Sequence, residues 1–117
     1  MIFKRNSKFL AFTLAIFTLT EFAQAGNAVL NASTCTLSID DKTFPLRGKY
    51  QVVESFPDFK VEVVSNFSDL KVQKVSSFAS ECGKWQEVSS FPDFKIQFVS
   101  SFPDLEIAFV ESFPGMQ

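Results

Sequence analysis

Four aspartates recur at the same place in a repeated sequence unit, and their carboxylates are the first groups to consider for chemistry. Carboxylate oxygens are ligands that calcium prefers in proteins. Two positions after each aspartate, however, comes a lysine in three cases and a glutamate in the fourth, and the interleaved lysines neutralise much of the column's charge. We therefore expect turn capping and a solvated charge ladder here, with no metal site, at Asp58, Asp69, Asp93 and Asp104.

Catalytic constellations are missing from the rest of the sequence. A glycosidase-type pair of carboxyls needs one raised pKa and a cleft, and no pair stands out. The chain contains no histidine, so a Cys–His nucleophile pair is excluded, and two thiols alone do not complete a tetrahedral zinc site. We predict no catalytic residue, no metal and no cofactor, and a secreted enzyme or toxin is the least favoured class of function.

Residues 1–25 have the pattern of a secretory signal peptide. Three basic residues precede an apolar run at positions 9–20, and small residues at 23 and 25 match an A-x-A cleavage site. As a helix, that run would span roughly 18 Å, short of the ~30 Å hydrocarbon core that a membrane anchor must cross. We predict cleavage between Ala25 and Gly26 and export to the periplasm or the medium.

Two cysteines remain after this cut, Cys35 and Cys82. In an oxidising compartment an even pair usually forms a disulfide. The sequence separation is 47, for which loop entropy corresponds to about 4 kcal/mol. We expect an intramolecular bond, with free or intermolecular thiols as the alternative.

The net charge of the remaining 92 residues argues against two kinds of partner, nucleic acids and anionic membranes. Eight basic and twelve acidic side chains leave a net charge of −4, which disfavours nucleic acid and anionic membrane surfaces. We predict no stable membrane association after signal removal. A protein partner stays open, and we expect a monomer. A chain of this size has a modest core.

Six phenylalanines mark an internal repeat. Their spacings are 11, 11, 13, 11 and 11, and the two groups of three superpose at an offset of 35. The run Ser55–Lys60 is identical to Ser90–Lys95, and residues 80–84 form the join. The repeat halves therefore cover about 50–80 and 85–115. The repeated residues are Phe56, Phe67, Phe78, Phe91, Phe102 and Phe113.

Each repeat unit predicts one strand and one corner. In Asp58–Val64, apolar residues at 59, 61 and 63 alternate with charged ones, which is typical of a strand with one buried face. The valine that follows out of phase suggests a bulge or kink at the strand end. Proline in Ser-Phe-Pro-Asp belongs at a corner and favours an extended conformation for the phenylalanine before it. We expect the six phenylalanines to point back into the core.

The segment before the repeat does not share the eleven-residue pattern. Alternation across Cys35–Gly48 predicts a β-hairpin, with a tight turn at residues 40–42. Residues 26–34 are expected to be flexible. From period alone, the whole chain is an all-β domain, either a short β-solenoid or a sandwich.

The repeat resembles that of the 7(1) septoil knot domain family. The matching residues are the unit Val53–Val61, the interruption Cys82–Trp85 and the end Ser112–Gly115, although proline is missing at Ser68 and Ala79. The resemblance implies a small all-β domain, over about 35–117, whose backbone forms a seven-crossing knot. It implies no established activity. The expected function is a protease-resistant, non-catalytic structural or interaction module, with a lectin-like module for small ligands or carbohydrates as the alternative.

Overall fold

The computed structural model describes residues 28–116, which fold into nine β-strands without a helix. No helix long and apolar enough to cross a membrane occurs in this part of the chain. The predicted signal peptide and its cleavage site lie outside the described residues. The strands are β1 Ala28–Asn31, β2 Thr36–Ile39, β3 Lys42–Pro45, β4 Gly48–Val52, β5 Phe59–Val63, β6 Leu70–Lys74, β7 Lys84–Glu87, β8 Phe94–Phe98 and β9 Leu105–Phe109.

The first three strands form an antiparallel sheet. The predicted hairpin is present as β2 and β3, with Ile39 paired to Lys42 across the turn. The prediction that residues 26–34 are flexible is wrong for β1, which pairs with β2 along its whole length. The Asn31 side chain accepts hydrogen bonds from the backbone N–H groups of Ser33 and Thr34. This side chain stabilises the turn that returns the chain to β2.

The other six strands form a closed barrel in the order β4-β7-β6-β9-β5-β8. Every neighbouring pair is parallel. Strands from the first half of the repeat alternate around the barrel with strands from the second half. The two halves are therefore interleaved, so that no barrel strand of one half pairs with another of the same half.

A regular stagger relates the six barrel strands. Tyr50 pairs with Phe94 and Val61 pairs with Leu105, so the matching central residues, Ile96 and Ile107, each lie two positions further along. The same two-residue step occurs at all six strand pairs, and six steps of two give a shear of twelve. At ~3.3 Å per residue and ~4.8 Å between strands, this step tilts the strands by roughly 54°.

The stagger explains how six residues can connect two parallel strands, where a dozen or more are usual. Val52, at the end of β4, and Phe59, at the start of β5, both pair with Ile96 of β8. The chain therefore moves sideways across one strand and makes no return along the barrel. Since the interior is filled, segment 53–58 must pass over the outside of β8.

All six corners contact the barrel in the same way. The valine that begins each corner donates its backbone N–H to the carbonyl of a central barrel residue, at 2.8–2.9 Å. Of the predicted bulge or kink, the bulge is wrong, because the valine N–H groups extend the strand ladder, whereas the chain bends directly after each valine. The donor and acceptor residues are Val53 and Ile96, Val64 and Ile107, Val75 and Trp85, Val88 and Tyr50, Val99 and Val61, and Val110 and Val72.

Two layers of inward-facing residues fill the barrel. The central layer holds Tyr50, Val61, Val72, Trp85, Ile96 and Ile107, all at most 2 % exposed. The layer below holds the buried residues Gly48, Phe59, Leu70, Gly83, Phe94 and Leu105. The alternation also predicted burial of the last apolar residue of β5, β8 and β9, but Val63, Phe98 and Phe109 are 41–49 % exposed. They lie beyond the central layer, at an end of the barrel that no other element of residues 28–116 covers.

The opposite end of the barrel is closed by the hairpin and the join. Cys35 and Cys82 form a disulfide with an S–S distance of 1.97 Å. The carbonyl of Leu46 accepts hydrogen bonds from the Gly83 N–H at 2.9 Å and from Trp85 Nε1 at 3.1 Å. Leu46 itself is fully buried. The disulfide and these hydrogen bonds connect the first sheet to the segment that joins the two repeat halves.

Candidate functional site

The six repeat phenylalanines lie on the outside of the protein. Their exposed fractions run from 83 % at Phe102 to 96 % at Phe67. The prediction that they form the repeat core is wrong for all six: Phe56, Phe67, Phe78, Phe91, Phe102 and Phe113. The physical reason is the route of the corners, which cross outside a strand whose inner face already fills the barrel.

Each of these phenylalanines also has a left-handed backbone conformation, with φ between 54° and 60°. The expectation of an extended residue before proline was wrong. Phe67 and Phe78 have the same φ although serine and alanine follow them, so proline is not the cause. The tight crossover imposes this conformation, which costs a non-glycine residue roughly 1–2 kcal/mol.

The six side chains form a girdle around the barrel, which we call the phenylalanine girdle. Every corner starts at the carbonyl of a central-layer residue, and each of the six barrel strands supplies one of these carbonyls. A stagger of two residues per strand places all central-layer residues at the same height along the barrel axis. Since the corners start at these residues, they share that height. Around the circumference the order is Phe91, Phe78, Phe113, Phe67, Phe102 and Phe56.

Phenylalanine is kept at this position in all six units, although other positions have changed. The inward positions of the strands hold Tyr, Phe, Val, Leu, Trp and Ile, and proline after the phenylalanine is replaced by serine or alanine in two units. Asparagine or glycine would adopt a positive φ at lower cost. Neither burial nor local conformation explains the six phenylalanines, which makes the girdle the candidate functional site.

The recurring aspartates have a structural role. Asp58 donates its backbone N–H to the carbonyl of Lys95, and its carboxylate accepts the N–H of the same lysine at 2.7 Å. The same two-way contact joins Asp69 to Glu106, Asp93 to Lys49, and Asp104 to Lys60. Capping is thus present, but it acts across neighbouring strands of opposite halves, and each bond fixes one end of a corner.

Replacing the girdle phenylalanines with asparagine should leave stability unchanged or raise it. Asparagine tolerates the left-handed conformation, and an exposed ring contributes no burial. We expect a change between zero and about +1 kcal/mol per site for Phe56→Asn or Phe91→Asn, measured by urea unfolding. The matched control is Phe59→Ala in the core, which should lose about 3–5 kcal/mol. A comparable loss of unfolding free energy for Phe56→Asn would contradict the exposed position of this side chain.

The uncovered end of the barrel holds a few polar groups. Lys74 Nζ lies 3.7 Å from Glu87 Oε1 and 5.8 Å from the centre of the Phe109 ring. The Tyr50 hydroxyl donates to Glu87 Oε1 at 3.5 Å. Burial, and then the negative charge and hydrogen bond of Glu87, raise the pKa of Tyr50 to about 12.

The raised pKa of Tyr50 predicts a loss of stability at high pH. The folded protein favours the protonated phenol, so this contribution is complete below the ordinary pKa of 10.0 and is lost as pH rises towards about 12. Urea midpoints measured between pH 9 and 12 should fall over this interval. The midpoints of Tyr50→Phe should fall less steeply, because this variant lacks the phenol that ionises; equal slopes would contradict the assignment.

No metal-binding cluster of three or more His, Cys, Asp or Glu occurs among residues 28–116. An acidic depression with a volume of about 290 Å³ is lined by Asp40, Asp41 and Asp58 together with Lys42. Open depressions of about 340 and 200 Å³ lie beside Phe67 and Phe109, and neither contains two carboxylates. None of them combines a nucleophile, a base and an enclosed cleft.

One signal in the sequence could have identified the girdle. The strand apolar residues vary in type while the corner residue does not, whereas core positions usually accept exchange among apolar residues of similar size. An invariant aromatic between serine and proline, outside the two-residue period of the strand, is therefore more typical of a surface role.

No curated protein matches the chain. A family model for the 7(1) septoil knot domain matches residues 44–117. That range includes all six barrel strands, the join and every residue of the phenylalanine girdle. The interleaved barrel agrees with the knot that the sequence resemblance implied, since two similar segments wind around each other. The chain belongs to the 7(1) septoil knot domain family.

Proposed function

We propose that this protein is an exported, non-catalytic module that binds another macromolecule through its phenylalanine girdle. The single observation that carries the proposal is the exposure of six phenylalanines, each at least 83 % accessible, in a conformation that disfavours them. Aromatic side chains are enriched at protein interfaces. The Cys35–Cys82 disulfide supports export, because such bonds persist in oxidising compartments.

The rest of the fold suits a rigid display scaffold. Both ends of four corners are hydrogen-bonded to one neighbouring strand, as when Val53 and Asp58 bond Ile96 and Lys95. Ordered corners lose little conformational entropy when they bind. The closed barrel leaves no free strand edge among its six strands, which supports resistance to proteases.

A lectin-like function is the second candidate, because sugars also stack on exposed aromatic rings. The girdle distributes its six rings one per strand around the circumference. A sugar site would require several rings and polar groups converging on one pocket. The girdle therefore favours a macromolecular partner.

Site-specific photocrosslinking in the producing cell tests the proposal. A photoreactive phenylalanine analogue replaces Phe56 or Phe102 in the full chain, and the control carries it at Lys60, an exposed residue on β5. We expect one recurrent adduct from the corner positions and none from the strand position. Absence of corner adducts, together with retention of the protein on a glycan array, would favour the lectin-like function instead.

A further inference from the structure

The charge around the phenylalanine girdle indicates what kind of partner it fits. The six corners are segments 53–58, 64–69, 75–83, 88–93, 99–104 and 110–115. They contain no lysine or arginine and carry seven carboxylates: Glu54, Asp58, Asp69, Glu81, Asp93, Asp104 and Glu111. Every basic side chain of the described part lies outside the corners, on a strand or, for Arg47, on the link between β3 and β4. Each phenylalanine therefore extends from a segment with at least one carboxylate and no basic side chain, while lysines of the strands lie beside the corners, as Lys71 does beside Phe67.

We infer that the girdle binds a cationic amphipathic polypeptide, whose apolar pockets accept neighbouring corner phenylalanines and whose lysines and arginines border those pockets. This inference rests on the proposed function and names its partner class. Complementary charge favours such a partner over an acidic one. It also disfavours anionic membranes, which would be repelled by the corner carboxylates.

The partner must engage more than one phenylalanine. Burying one such ring stabilises a complex by an amount that alone corresponds to weak binding, because association itself carries an entropic cost. Rings that are neighbours around the barrel come from opposite halves of the sequence. Phe56, for example, lies between Phe102 and Phe91 in the circumferential order.

This alternation supplies a matched pair of variants. Replacing Phe56, Phe67 and Phe78 with serine removes the first-half corners and leaves three phenylalanines, no two of which are neighbours. Replacing Phe91, Phe78 and Phe113 with serine leaves three in one continuous run. Both variants have the same composition and charge and differ only in which rings remain adjacent.

The probes are two labelled helical peptides of equal length, one built from leucine and lysine and the other from leucine and glutamate. Binding to the oxidised exported protein is measured by fluorescence anisotropy. We expect the lysine peptide to bind at least tenfold more tightly than the glutamate peptide. The continuous-run variant should retain this affinity within about threefold, and the alternating variant should lose about tenfold or more. Fluorescence of buried Trp85 confirms that both variants are folded.

Each alternative outcome overturns a stated part of the inference. Equal binding of both peptides overturns the charge requirement, and equal affinities of the two variants overturn the need for neighbouring rings. Failure of both peptides to bind overturns the partner class. Girdle-dependent binding to phosphatidylcholine vesicles, without peptide binding, assigns the girdle to a lipid surface. Corner adducts in the cell would support the proposed function even if these peptide results failed.

Discussion

Gly83→Ala is expected to destabilise the protein by about 2–6 kcal/mol. A Cβ at this position would lie 2.5 Å from the carbonyl oxygen of Lys71 and 2.6 Å from the backbone N of Gly115, at a φ of +84°. Both obstacles are backbone atoms, so they cannot move aside as a side chain could. The cost combines a conformational penalty of about 1–3 kcal/mol with overpacking of about 1–3 kcal/mol. Urea unfolding followed by Trp85 fluorescence measures it.

Gly115→Ala is the matched control for this prediction. Gly115 also has a positive φ, +122°, but an added Cβ would meet its nearest atoms, in Cys82, at 3.8 and 3.9 Å. These are ordinary contacts, so we expect the conformational penalty alone, about 1–3 kcal/mol. Equal losses for the two variants would show that the close contacts of Gly83 with the backbone of Lys71 and Gly115 are not the reason for glycine at this position.

Unfolding should be slow for a protein with so small a core, and removal of residues 106–117 should accelerate it strongly. Untying requires a chain end to pass back through a loop, in addition to the loss of packing, so stability is governed by a rate. The truncation removes most of β9 and the last corner, which contacts β6 through the Val110 N–H and the Val72 carbonyl. The measurement is the decay of native Trp85 fluorescence after dilution into concentrated urea.

Ile107→Ala separates topology from burial in that experiment. It removes part of a fully buried side chain from β9 and should cost about 2–5 kcal/mol, while the path of the backbone is kept. We expect the truncated chain to unfold faster than this loss of burial predicts. Complete unfolding of the full chain within seconds, or unchanged kinetics after truncation, would contradict a barrier due to untying.

The local pattern of the fold could be predicted from the sequence. Alternation at residues such as Phe59 and Val61 identified the strands and their buried faces, because the two-residue period is a property of the strand itself. Two cysteines, the absence of histidine and a predicted signal peptide together predicted the disulfide. The eleven-residue spacing and the offset of 35 predicted six units in two similar halves, and the barrel has six strands in that arrangement.

The tertiary structure alone decided how the halves are interleaved and where the corner phenylalanines point. Pairs such as Tyr50 with Phe94 join residues 44 positions apart, and no local period specifies which strand of the other half is the neighbour. That choice sets the shear, and the shear lets a corner of six residues cross outside a strand. Apolar residues are buried by default only where the backbone path brings them to the interior. At Phe56 and its five counterparts the path lies outside a filled barrel, so the same side chain that alternation would bury is exposed to solvent.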